Sequence, residues 1–419
     1  MKLLLIIALT SLSLITLPQL ALALDSDQST ASPLVYILDG TALSGYSDVA
    51  GPTEGDFSIN TTWLGSAGWN INNQAQAILA YNGSFQQSQL FIAQDEGAKE
   101  SNQVMSNNLS AVLKYAVSDN FIFEPNLFFD VIYVKETADE QLGRGLYDYE
   151  DKGAGFENTH IFDSQTERIK ILTYGLTVFH RQYPHYSSLI SQFSDSTFEQ
   201  NEKDFYGYKF DTSYKTKLSQ KLTGTLDGTF ILKDYTDKLN VSSDGIREEN
   251  KREDFYFEIT GDLLQEMNES WSLGFGTGFI QNISSLDYYD TRNTTSLTDD
   301  RFFGGYYDYF KYSVSPSLIL TPQINVDESK NPLVQLSYTF DRTFYTGRNA
   351  LNQFDTLKNE DQLDKSHTIF ARSTWPITSQ LNWITSGSWQ KQTSNNDFEQ
   401  SYQYSYEVWS VLSGVSFEL

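Results

Sequence analysis

The sequence predicts an all-β fold: a transmembrane, antiparallel, up-and-down β-barrel of about sixteen strands, with fourteen as the alternative count. Three observations carry this. The chain combines many aromatic residues with a low mean hydropathy. Its segments alternate apolar and polar residues with a period of two. Its connections sort by parity into short turns and long acidic or glycine-rich stretches.

Aromatic residues make up 15% of the chain (28 Phe, 26 Tyr, 7 Trp), while mean hydropathy is −0.41. Strands that face lipid on one side and water on the other produce that pairing. There is no cysteine, so disulfides cannot hold the fold and burial or hydrogen-bonded closure must. The net charge is −25, and no basic stripe exists to neutralise phosphates, which excludes nucleic acid as a partner.

The first residues, MKLLLIIALTSLSLITLPQLALA, carry Lys2, an apolar stretch from Leu3 to Leu17 and a small-x-small site at Ala21-Leu22-Ala23. This is the pattern of a signal peptide over 1–23. Removing 23 of 419 residues leaves 396, read as a short segment at 24–34 and a barrel over 35–419. No later apolar run approaches the ~18 residues of a membrane helix.

Alternation is clearest from Leu222 to Lys233. There Leu222, Gly224, Leu226, Gly228, Phe230 and Leu232 interleave with Thr223, Thr225, Asp227, Thr229, Ile231 and Lys233. Val334, Leu336, Tyr338 and Phe340 alternate with Gln335, Ser337, Thr339 and Asp341 in the same way. A strand with one apolar and one polar face must show this period. Upstream, strands are expected at Val35–Tyr46, 57–68, 75–87, 104–117, 121–135 and 166–180, and a fainter one at 183–195 completes sixteen, since single-chain bacterial barrels are even-numbered. Fourteen results if Val35–Tyr46 lies outside the wall.

Short polar turns fall at Asn70–Gln74, Ser118–Asn120, Ser219-Gln220, Met267–Glu269 and Ser379-Gln380. Long connections are expected at 88–103, 136–165, 236–252, 287–305, 346–365 and 392–402. The segment 136–165 alone holds eight acidic residues against Arg144 and Lys152.

The chain ends YEVWSVLSGVSFEL, with Trp409, Val411, Val415, Phe417 and Leu419 on one face and Gly414 among them. In this ending, and in its alternation of short turns and long loops, the chain resembles Gram-negative outer-membrane β-barrel proteins of porin-like architecture, without matching a specific family. The resemblance implies short periplasmic turns, long acidic extracellular loops and a last strand that pairs with the first. It also implies that Trp409, Val411, Gly414, Val415, Phe417 and Leu419 form a signal for the barrel-assembly machinery. The sequence departs from the commonest pattern by ending on Leu and by placing Leu412 where a polar residue is usual. Outer-membrane lipid and lipopolysaccharide are the implied surroundings, with divalent cations expected at the acidic outer loops.

Charges on the polar faces are expected to line the lumen: Lys114, Lys170, Lys209, Lys215, Lys217, Lys233 and Arg372 against Glu124, Asp130, Asp211, Asp227, Glu258, Asp262, Asp341 and Glu418. This near balance suits a water-filled pore for small polar solutes, with a weak cation bias from the acidic loops. A plugged or structural surface barrel (an adhesin, or a secretion or polymer-export partner) is the alternative. The segment RQYPHYSS brings His185 near Ser187 and Ser188, but no spaced acid partner or nucleophile motif accompanies it. It reads as a Pro-containing bend, with Tyr183 and Tyr186 in the aromatic girdle or as a sugar-stacking pair. No catalytic residue, metal site or cofactor is expected.

Overall fold

The computed structural model describes residues 34–49, 56–89, 101–135, 141–162, 169–186, 201–290, 301–324, 331–398 and 404–419. The expected signal peptide and almost all of the 24–34 segment lie outside the described residues.

Sixteen antiparallel strands close into one barrel. In chain order they are β1 (Leu34–Val49), β2 (Asp56–Asn72), β3 (Ala75–Gln89), β4 (Ser101–Ser118), β5 (Phe121–Lys135), β6 (Tyr149–Phe162), β7 (Lys170–Gln182), β8 (Phe205–Ser219), β9 (Leu222–Val241), β10 (Arg247–Asn268), β11 (Trp271–Ser284), β14 (Tyr309–Leu320), β15 (Leu333–Leu351), β16 (Leu357–Pro376), β17 (Leu381–Ser394) and β18 (Tyr406–Glu418). Between β11 and β14, a separate pair, β12 (Tyr288–Asp290) and β13 (Arg301–Phe303), forms a short hairpin. Each barrel strand pairs with its sequence neighbours, and β1 with β18 closes the ring, Asp39 opposite Glu418 and Val49 opposite Val408. Closure leaves no open edge, so the backbone groups of the wall are satisfied within the sheet.

Five short hairpins at one end share a local cause. A side-chain oxygen at the end of a strand accepts the backbone N–H two residues on: Asn72 from Gln74 (2.8 Å), Ser118 from Asn120 (3.4 Å), Ser219 from Lys221 (3.3 Å), Asn268 from Ser270 (2.8 Å) and Thr378 from Gln380 (3.2 Å). These Asx and ST turns let two to four residues reverse the chain.

At the opposite end the strands run further than the apolar pattern. β9 and β10 continue to Val241 and from Arg247, and β15 and β16 continue to Leu351 and from Leu357. The expected long loops 236–252 and 346–365 are therefore mostly paired strand, closed by tight turns at Gly245 (φ 78°) and Asp355 (φ 61°). The segment 136–165 is likewise not one loop, because β6 occupies 149–162. Of the expected strand at 183–195, residues 183–186 form a turn in which Tyr186 N–H donates to Tyr183 O, 3.1 Å, and β7 pairs directly with β8; 187–195 lies outside the described residues. The total of sixteen stands, with β6 as the strand the sequence reading lacked.

Large apolar side chains on one face of most strands remain exposed, among them Leu79, Leu109, Leu127, Leu176, Leu226, Leu263, Phe275, Leu336 and Val411. The nine residue steps from Leu333 to Arg342 and the ten from Leu381 to Lys391 rise roughly 25 Å at the strand tilt of such barrels, which is the height of the apolar band that spans an outer membrane.

Candidate functional site: the inner wall

The register fixes which side chains share the face opposite the exposed apolar ones. On β4 and β5, Leu109, Leu113, Leu127 and Phe129 are exposed, and the alternate positions carry Lys114, Glu124 and Asp130. Lys114 Nζ and Glu124 Oε1 meet at 3.3 Å, and Asn108 donates to Asp130. On β8, Lys209 Nζ lies 3.0 Å from Asp211 Oδ2, two residues along one face, and Thr229 of β9 donates to the same carboxylate at 2.8 Å.

Asp227 of β9 stands opposite Thr260, and Asp262 of β10 opposite Thr225, so the two carboxylates are diagonal neighbours on adjacent strands. Tyr256 donates to Glu258 at 2.7 Å, and Lys311 Nζ meets Asp341 Oδ1 at 3.0 Å. Arg372 stands between Gln335 and Ser386, with no carboxylate opposite it on either neighbouring strand. Lys170 is a correction: it shares the face of Leu172, Tyr174 and the exposed Leu176, and so points away from this wall.

Further toward the long-connection end, a chain of cations and rings runs along the inner face. Arg181 of β7 forms a bidentate pair with Asp151 of β6 (2.8 and 2.6 Å) and lies over the Tyr149 ring at 3.9 Å. Lys233 lies 5.6 Å from the Phe205 ring. Arg252 pairs with Asp254 (2.8 and 2.7 Å) and sits between Tyr235 (4.6 Å) and Tyr307 (4.8 Å). Arg348 follows, over Tyr306 and Tyr345, both at 4.2 Å. Sequence reading missed Asp151, Arg181, Arg252 and Asp254. Two signals were present: Arg252 and Asp254 are spaced i, i+2, which puts them on one face of a strand, and Arg181 is in phase with Thr173 and Thr177.

Beside this chain lies a smooth strip. Gly274, Gly276 and Gly278 of β11 face inward next to Ser317, Ser315 and Ser313 of β14. A Cβ on Gly276 would lie 2.8 Å from Asp262 Oδ1, so the glycine makes room for that carboxylate.

In the loops at this end, Asp204 accepts the Tyr183 N–H at 2.8 Å, and burial raises its carboxyl above the usual range. Burial raises the Tyr183 hydroxyl as well. Lys203 Nζ sits among the rings of Tyr147 (4.9 Å), Tyr183 (5.9 Å) and Tyr186 (4.8 Å), tying the 141–148 connection to the one after β7. His185 is exposed in that bend.

At the closing seam, Trp409, Val411, Phe417 and Leu419 are exposed on the outer face and Gly414 lies on the inner one. The Phe417 ring covers Gly40 of β1, whose Cβ would lie 2.6 Å from it.

A closed barrel with an apolar exterior, a polar interior and no free edge is a transmembrane β-barrel of the outer-membrane type. No family model matches the chain, and no curated protein sequence does. Solved structures resemble its fold: an anion-selective porin from Comamonas acidovorans (9% identity, 92% of this chain and 100% of that one, TM-score 0.48); a bacterial polysaccharide outer membrane secretin (9%, 93% and 100%, TM-score 0.46); and the outer membrane protein OmpT of Vibrio cholerae in its trimer form (9%, 93% and 100%, TM-score 0.46).

Proposed function

We propose that this barrel is a porin-like channel in the outer membrane of a Gram-negative bacterium. It passes small polar solutes with a weak cation bias, and it reaches the membrane after cleavage of the 1–23 signal peptide and through the barrel-assembly machinery. In this reading the short turns face the periplasm. The observation that carries it is the inner strip Gly274, Gly276 and Gly278 beside Ser313, Ser315 and Ser317. Small side chains along one wall leave room for a path; beside it Lys311 and Asp341 are paired, while Asp227, Asp262 and Glu258 leave a negative excess, so a hydrated solute meets a polar surface that favours cations.

Because Glu150, Asp151 and Glu157 belong to β6, part of the acidity expected in loops lies in the barrel. The bias is therefore assigned chiefly to wall carboxylates, above all Asp227 and Asp262. The test is reversal potential in planar bilayers under a salt gradient, for the refolded protein and for Asp227→Lys/Asp262→Lys. A cation preference that the double variant reverses supports the reading; a preference unchanged by it removes these residues from selectivity.

One observation favours a second reading, a plugged or surface-interaction barrel. Ile384 and Leu43 face inward at the seam yet are only 1% and 8% exposed, so other side chains pack over this part of the inner wall. Absence of any conductance in correctly folded protein decides for that reading.

A further inference from the structure

On the outer face, at the long-connection end of the apolar band, Arg342 of β15 stands directly opposite Lys365 of β16. Like charges in direct cross-strand register repel, and each would lower stability unless an anion lies between them. Neither has a carboxylate within ion-pair distance among the described residues. Two other cations on the outer face are matched: Lys152 meets Glu150 at 3.0 Å and Lys391 meets Glu407 at 3.7 Å.

The pair is also held in place. Arg342 lies over the Phe344 ring at 4.4 Å and reaches the Tyr312 hydroxyl at 3.5 Å, while its Nε is buried without a hydrogen-bond partner. Two residues nearer the membrane, His367 is fixed through Nδ1 to the Tyr338 hydroxyl at 2.7 Å and stands opposite Lys391. A fixed guanidinium and an exposed ammonium, side by side in a chain of net charge −25, form an anion seat in an otherwise acidic molecule.

We propose that Arg342 and Lys365 bind the phosphate of a lipid A headgroup, with the acyl chains lying along the apolar face below and His367 and Lys391 flanking the sugar. The height fits, since Arg342 lies nine residues above Leu333 at the short-turn end, roughly one apolar band away. The choice of lipid A rests on the orientation proposed above, which protease cleavage at the 242–246 turn in intact cells tests separately.

The experiment is native mass spectrometry of the folded full-length barrel in detergent, with bisphosphorylated lipid A, dephosphorylated lipid A and phosphatidylglycerol as probes. The variants are Arg342→Gln/Lys365→Gln, Lys365→Ala alone, and Lys152→Gln as control, each checked for heat-modifiable gel mobility. Bisphosphorylated lipid A should be retained about tenfold better than either other lipid. The double variant should lose that preference, Lys365→Ala should lose part of it, and Lys152→Gln should keep it. Equal retention of the dephosphorylated lipid or of phosphatidylglycerol, or an unchanged preference in the folded Lys365→Ala variant, would overturn the proposal.

Discussion

Arg252 and Asp254, two residues apart on one strand, close a bidentate ion pair along the inner face of β10, and the hydroxyl of Tyr235 on β9 completes it with a 3.1 Å bond to Asp254. Asp254 is 3% exposed. Its removal would leave a guanidinium buried between two tyrosine rings with no counter-charge. Asp254→Ala should therefore destabilise the barrel by about 3 kcal/mol, whereas Tyr235→Phe should cost only about 1 kcal/mol. Denaturant midpoints of the refolded proteins in detergent check both.

Gly40 and Phe417 supply a test of closure. The Phe417 ring occupies the space a side chain at Gly40 would need, so Gly40→Val should impair β1–β18 pairing and lower the fraction of folded barrel. Phe417→Ala in the same chain should restore part of it, because the second substitution empties the contested volume. Phe417→Asp should be exported but not stably inserted, since a charge on the lipid face is costly. Heat-modifiable mobility and membrane fractionation report these outcomes.

Gly276→Leu probes the inner strip. The new side chain would displace the Asp262 carboxylate and narrow the proposed path, so single-channel conductance should fall well below the parent value with folding intact. Thr277→Leu, one residue away but on the outer face, should leave conductance unchanged.

Asp308, in the connection before β14, is raised above the ordinary carboxylate range by burial, with the charges of Asp287 and Asp254 adding to it. A carboxyl so raised favours the folded loop while protonated. Its contribution is complete below the unfolded pKa and is lost as pH rises through the folded one. Hydrogen exchange at 284–287, corrected for its intrinsic pH dependence, should show stronger protection at pH 4 than at pH 7. Asp308→Asn, which keeps an acceptor for the Ser284 N–H, should flatten that difference.

The barrel was legible wherever one strand face met lipid, as in β9 and β15, because burial in hydrocarbon enforces the period of two. β6 escaped for a physical reason. Its outer positions include Lys152, Asn158 and His160, of which neighbouring rings shield the last two: His160 stacks on Phe121 at 4.4 Å, and Asn158 stands between Phe123 and Tyr174 and is 7% exposed, while the exposed Lys152 lies 5.5 Å from the Phe129 ring. Aromatic side chains on β5 and β7 supply the apolar surface that β6 lacks. The upper parts of β9, β10, β15 and β16 escaped because beyond the apolar band a paired strand has no need of a greasy face. Of the inner wall, individual charges were legible from phase alone. Their partners were not, since pairing depends on a cross-strand register that no local pattern fixes.

Closure of the ring joins Asp39 to Glu418, residues 379 apart in the chain, whereas every other seam joins strands that follow one another in the wall. With loop-closure entropy growing as about (3/2)RT ln n, that one seam costs roughly 3 kcal/mol more than a hairpin of about twenty residues. Assembly is thus biased in time: neighbouring hairpins can zip early and in any order, while the first and last strands must wait until the whole ribbon has curled. Until then both would expose unpaired backbone to the hydrocarbon. The least local contact in the molecule is the one that turns an open, self-sticky ribbon into a sealed wall, and because it forms last, mutations there should speed reopening of the finished barrel more than they slow the zipping of its hairpins.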